Sequence, residues 1–245
     1  MGARASGLGN AFTTLDDAWS VFNNPGAIGL QKGTTSLFSI ERHFSGVGLN
    51  NFGAGVLSSI GFGTGSISVF KFGDDLYNEQ SLSTGYGNTF GIASLGVRIN
   101  YRQYQIKGLD SRGAVAIDFG GLAELSEELT FGAFIRNINQ ARLSDFQDER
   151  IPTLFNAGIA YQPSEKLILS LEAEKDIDFD TRFKSGLEYT FLPKFSARTG
   201  IQTAPFTNHF GMGFKTWRIN IDYAVTLHQV LGSAHQASLS YHIAK

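Results

Sequence analysis

From residue 34 onward, apolar and polar side chains alternate with a period of two over runs of eight to twelve residues. Clusters of Gly, Asn, Asp, Pro and Ser separate the runs. A period of two predicts strands with one apolar and one polar face, because successive side chains leave a strand on opposite sides. Fourteen runs can be read, centred on 35–41, 51–59, 65–72, 77–85, 92–104, 112–121, 129–137, 153–161, 166–175, 181–191, 194–202, 207–215, 218–227 and 234–243. The pattern is clearest in the second half. There Leu167, Leu169, Leu171 and Ala173 oppose Ser170, Glu172 and Glu174, and Phe183, Leu187, Tyr189 and Phe191 oppose Arg182, Lys184, Glu188 and Thr190. Ile219, Ile221, Tyr223 and Val225 likewise oppose Arg218, Asn220, Asp222 and Thr226.

Residues 1–33 do not alternate. Leu15, Ala18, Trp19 and Phe22 have the i, i+3, i+4, i+7 spacing of one helical face, which predicts a short helix. It should stop at Asn23 or Asn24, because the residue before Pro25 is pushed out of the helical region and Asn-Pro-Gly favours a turn.

A soluble sandwich would also alternate, so the direction of the apolar face must come from elsewhere. Connections two-to-three, four-to-five, eight-to-nine, ten-to-eleven and twelve-to-thirteen are short. Those between them are mostly longer, the longest being 138–152, and the six-to-seven connection at 122–128 departs mildly from the rule. Short turns at one end and long loops at the other are what outer-membrane barrels show. Runs of about ten residues are also long enough for a tilted strand to cross a bilayer. The fold expected is therefore all-β, a 14-stranded antiparallel transmembrane β-barrel over residues 34–245. Residues 1–33 form a short N-terminal helical plug in its lumen. Tyr101, Tyr104, Tyr161, Tyr189, Phe191, Phe206, Phe210 and Tyr241 near strand ends suggest aromatic girdles at the membrane interfaces.

Composition narrows the function classes. Mean hydropathy is −0.07 and no apolar run approaches a membrane helix. The net charge of −2 with scattered Lys and Arg argues against nucleic acid. There is no Cys, hence no thiolate chemistry or disulfide. The start, Met-Gly-Ala-Arg-Ala-Ser-Gly, lacks a leader pattern, and a removed leader is expected for an outer-membrane chain. The five His residues show no HExxH or paired spacing, and no Gly-x-Ser-x-Gly elbow occurs. Neither a catalytic site, a metal nor a cofactor is expected.

On this alternation the lumen receives Arg98, Arg102, Asp118, Arg136, Glu172, Glu174, Arg182, Lys184, Glu188, Arg198, Lys215, Arg218 and Asp222. A charge facing lipid near the midplane would cost about 2–4 kcal/mol, whereas a luminal one can pair. Asp16 and Asp17 are the natural plug partners for the luminal arginines. Trp19, Phe22, Asn23, Asn24 and Pro25 complete the plug motif.

The run over residues 7–30, GLGNAFTTLDDAWSVFNNPGAIGL, resembles the N-terminal signature of the PorV/PorQ group within the FadL-like outer-membrane proteins. The patches AVAIDFG at 114–120 and FIRNI at 134–138 are similar to the same group. Pro25-Gly26-Ala27-Ile28 inverts the usual Pro-Ala-Gly-Leu order, Asn10 stands where Gly is commoner, and the end of the chain lacks a terminal aromatic. The resemblance implies a barrel in the outer membrane of a Bacteroidetes-type bacterium. It also implies a non-enzymatic role as partner or shuttle in type IX secretion, with a protein partner. The contact surface expected for that partner is the lipid-facing wall with Asp145, Phe146, Asp148 and Arg150 in the longest loop. The alternative is a FadL-like transporter of hydrophobic molecules, which requires an apolar pocket at the plug and a break in strand pairing.

Overall fold

The computed structural model describes residues 1–43, 49–108, 111–144 and 149–244. In chain order the strands are β1 (Thr34–Arg42), β2 (Asn50–Ile60), β3 (Gly63–Gly73), β4 (Tyr77–Phe90), β5 (Ala93–Ile106), β6 (Arg112–Glu124), β7 (Leu129–Arg136), β8 (Arg142–Ser144) and β9 (Glu149–Arg150). They continue with β10 (Leu154–Ser164), β11 (Leu167–Asp176), β12 (Arg182–Leu192), β13 (Phe195–Gln202), β14 (Thr207–Lys215), β15 (Ile219–His228) and β16 (Gly232–Ala244). Fourteen of these, all but β8 and β9, form a closed antiparallel barrel in sequential order. β1 pairs with β16 to complete the ring, and β8 and β9 form a separate ribbon within the longest loop.

The side-chain period decides which face meets lipid. On β11, Leu171 is 57% exposed while Glu172 is 4% exposed, and on β12 Phe183 is 59% exposed beside Lys184 at 4%. Every barrel strand presents apolar side chains outward in this way, from Phe38 on β1 to Leu239 on β16. A closed wall with a mostly apolar exterior is the arrangement a bilayer requires.

Connections at one end are 61–62, 91–92, 125–128, 165–166, 193–194 and 216–218, while those at the other include 137–153. The six-to-seven connection joins the short set because β6 continues to Glu124. Tyr104, expected in a girdle, instead shares the inward parity of Arg98, Asn100 and Arg102 on β5 and pairs in register with Glu79.

Residues 1–33 lie inside the ring. They contain one α-helix, α1 (Ala3–Gly7), and 3-10 turns at Ala18–Val21 and Pro25–Leu30. The helix expected from Leu15, Ala18, Trp19 and Phe22 does not form. Asp17 is extended and its side chain accepts from Trp19 N, starting a short 3-10 turn. The four side chains also serve two places: Leu15 packs with Ala5, Leu8, Phe12 and Phe134, whereas Ala18, Trp19 and Phe22 pack with Val21, Leu37 and Leu57. Apolar spacing that mimics a helical face here splits between two sides of a narrow cavity.

The high glycine content has a local cause. A Cβ on Gly186 would stand 2.6 Å from the Leu8 carbonyl oxygen, one on Gly132 2.5 Å from that of Thr13, and one on Gly87 2.5 Å from Gly29 N. The luminal segment lies backbone against wall, and only glycine leaves room.

Candidate functional site

Three polar networks join the luminal segment to the wall. In the first, Lys184 Nζ lies 3.0 Å from Glu172 and 2.8 Å from Glu174, while Asn156 Nδ2 donates to both carboxylates at 2.7 and 3.1 Å. Thr13 N of the luminal segment donates to Glu172 at 2.8 Å, and Lys184 sits 5.0 Å over the Phe12 ring. Arg182 completes this group at its more exposed end, 3.3 Å from Glu174.

In the second, Arg4 holds Glu188 through Nε at 2.9 Å and Nη2 at 3.0 Å, and reaches Asp17 at 3.1 Å. Arg198 pairs with Glu188 through Nε and with Asp222 through Nη1 at 2.7 Å. The bidentate geometry matches guanidinium to carboxylate in two parallel bonds, which fixes orientation as well as charge. In the third, Arg98 binds Asp118 at 2.6 Å and donates to the Val21 carbonyl oxygen at 2.7 Å. Asn100 and Asn137 N also donate to Asp118.

Asn24, fully buried, is the hub of the Asn-Pro turn. Its Nδ2 donates to the carbonyl oxygens of Thr13 at 2.7 Å and Gly121 at 3.0 Å, and its Oδ1 caps Gly26 N at 2.9 Å. Pro25 opens the following 3-10 turn, where a missing N–H costs nothing. Asn23 donates to the Met1 carbonyl oxygen, and Trp19 stacks on Phe22 with ring centroids 6.0 Å apart.

Several expected placements change. Asp17 pairs with Arg4 of its own segment rather than with a wall arginine, and Asp16 is exposed with only its carbonyl oxygen engaged, by Gln31. Arg218 lies in the 216–218 turn, exposed, its guanidinium 4.1 Å over the Trp217 ring, because β15 starts one residue later; Lys215 is exposed as well. Arg102 reaches Glu79 only at 3.8 Å. Asp145, Phe146 and Asp148 lie outside the described residues, and of Arg150 only the backbone, in β9, is described. Arg4 and Asn156, which close two of the networks, carry no sequence signal: Arg4 and Glu188 are 184 positions apart.

The wall has one distinctive sector. β6 and β7 share six residue pairs, Phe119↔Ile135 to Glu124↔Thr130, against eight between β7 and β10. The pairing stops where Asn137 takes a φ of 56°, a left-handed conformation that Asn tolerates better than most residues. Beyond it the Asn139 side chain stands in for a strand, accepting from Ile117 N at 2.8 Å and donating to the Val115 carbonyl oxygen at 2.9 Å.

Next to this seam Gly121, Ala133, Ala157 and Ala173 stand in direct register on four strands and point outward. Flanking rungs carry Phe119, Ile135, Phe155 and Lys175 on one side and Phe131, Ile159 and Leu171 on the other. Small side chains between large ones leave an apolar depression of about 640 Å³ in the membrane-facing surface. Phe134 belongs both to the lining of this depression and to the luminal cluster of Ala5, Leu8, Phe12 and Leu15, with its ring 5.8 Å from that of Phe12. Phe134 therefore stands between the luminal apolar cluster and the outer depression, beside the shortest run of strand pairing in the wall.

No family model and no curated protein matches the sequence. The fold does match solved structures. The Ralstonia pickettii toluene transporter TbuX superposes with a TM-score of 0.75 at 11% identity, over 98% of this chain and 97% of that one. The Pseudomonas putida toluene transporter TodX gives 0.73 at 10%, over 98% and 97%. A Pseudomonas aeruginosa FadL homologue gives 0.70 at 9%, over 99% and 98%. The chain has the fold of these outer-membrane barrels. With its closed wall and apolar exterior, it sits in the bacterial outer membrane.

Proposed function

We propose that this chain is a FadL-like outer-membrane conduit for small hydrophobic molecules, with residues 1–33 plugging the lumen. The solute passes between the luminal apolar cluster and the membrane at the β6–β7 seam. The observation that carries the reading is Phe134, shared between the inner cluster and the outer depression where strand pairing is shortest. An ion-laced lumen is a poor path for a hydrocarbon, since a solute there would displace water from charges it cannot replace. The full-length likeness to two toluene transporters supports the solute class.

The test is uptake of radiolabelled toluene by cells expressing the chain. Wild type should exceed cells lacking it, and Ala133→Trp, which fills the depression, should return uptake to background at equal surface expression. Wild-type uptake no faster than background would refute the reading. The secretion role implied by the N-terminal run has only that resemblance in its favour. A stoichiometric protein partner retained through detergent extraction would put it first.

A further inference from the structure

On the loop side of the luminal segment the barrel encloses a polar chamber of about 370 Å³ that carries three arginines, Arg98, Arg102 and Arg136. Their states differ. Arg98 is neutralised by Asp118, to which Nε and Nη2 donate, and its Nη1 donates to the Val21 carbonyl oxygen. Arg102 reaches Glu79 only at 3.8 Å, and its Nε is buried without an acceptor. The Arg136 side chain, at the loop-side end of β7, makes neither ion pair nor hydrogen bond among the described residues. Its Nε is also buried without an acceptor, and its near companion is the Phe134 ring, 5.8 Å away. The chamber's acids do not fill the need: Glu41 is engaged by Asn51 at 2.8 Å with His43 at 3.6 Å, and Glu79 faces Arg102.

A guanidinium partly withdrawn from water without a carboxylate in direct contact is under-satisfied, and its planar fork matches the two oxygens of a carboxylate or a phosphate edge. Arg102 on β5, only loosely paired with Glu79, and Arg136 on β7 both line this one small polar chamber. We propose that Arg136, together with Arg102, binds a small oxyanion, carboxylate or phosphate, entering from the loop side. The volume holds a compact anion with its water, and the polar walls disfavour a long apolar tail. The site is polar and rests on arginines, whereas the hydrocarbon path proposed above rests on apolar side chains, so anion binding and toluene uptake can be tested separately.

The test is isothermal titration of the detergent-solubilised full chain at constant ionic strength, with sodium acetate and with inorganic phosphate in separate arms. Saturable binding near one per chain is expected for at least one anion, and the tighter arm identifies the ligand chemistry. Arg136→Gln should weaken binding about tenfold or more, Arg136→Lys less, and Arg218→Gln, in an exposed turn, not at all. If Arg136→Gln does not yield a heat-modifiable folded barrel, Arg102→Gln replaces it, with the same direction of effect expected. Absence of saturable binding in both arms, or binding indifferent to the substituted chamber arginine, would overturn the proposal.

Discussion

Lys184→Met isolates what the ion networks contribute. Lys184 and Glu172 have side-chain exposures of 3% and 1%, so water screens the pair little, and Glu174 is within 2.8 Å of the same ammonium. Removing the cation leaves two carboxylates facing each other. Breaking a buried pair in this way costs about 3–5 kcal/mol. Asn156 and Thr13 N still donate to the carboxylates, which offsets part of the loss, while the lost contact over Phe12 adds up to about 2 kcal/mol. A net loss of about 3–5 kcal/mol is expected.

The assay is urea unfolding of the barrel in lipid vesicles, followed by tryptophan fluorescence. The chain has two Trp, Trp19 buried in the luminal segment and Trp217 exposed in a turn, so a Trp217→Phe background makes Trp19 the sole reporter. The control is Lys184→Met combined with Glu172→Gln and Glu174→Gln, which should recover most of the loss because neutral replacement of a whole buried ion group is often nearly neutral. A single-variant loss below about 1 kcal/mol, or a triple variant no more stable than the single, would refute the electrostatic account and leave side-chain packing as the cause.

Gly186→Val should displace Leu8 from the wall and convert a quiet barrel into a conducting one in planar bilayers, whereas Gly61→Ala, in an open turn, should remain quiet. Arg4→Gln removes a bidentate bond to Glu188 and a pair with Asp17, and should raise protease susceptibility of residues 1–33 in intact vesicles; Asp16→Asn should not. Asn24→Ala strands the carbonyl oxygens of Thr13 and Gly121 and Gly26 N, and should lower stability by about 2–4 kcal/mol in the same urea assay.

Strand faces were legible because lipid on one side and paired charge on the other impose opposite demands on alternate residues. Leu171 and Glu172 could be assigned without coordinates. Turn parity was legible for the same reason, since a closed barrel must alternate its ends. The luminal segment was legible as a distinct unit but not in its geometry. The spacing of Leu15, Ala18, Trp19 and Phe22 fits a helix, yet the cavity offers two apolar patches on opposite sides and the chain unwinds to serve both. Partners such as Arg4 and Glu188, or Asn24 and Gly121, depend on how the segment threads the ring, and no local pattern encodes that. The shortened β6–β7 pairing has no proline to announce it. It comes instead from Asn137 in a left-handed conformation, which a sequence pattern of good strand formers conceals.

Photoaffinity labelling with a diazirine-bearing alkylbenzene tests most directly where a hydrophobic solute binds. The barrel in lipid vesicles is irradiated with and without excess toluene, and labelled peptides are mapped by mass spectrometry. Toluene-competed labelling of Phe134, Ala133 and Ala157, lost on Ala133→Trp, is the predicted result. Labelling that toluene does not reduce, or competed labelling confined to the polar luminal chambers around Arg102 or Arg198, would contradict passage at the β6–β7 seam.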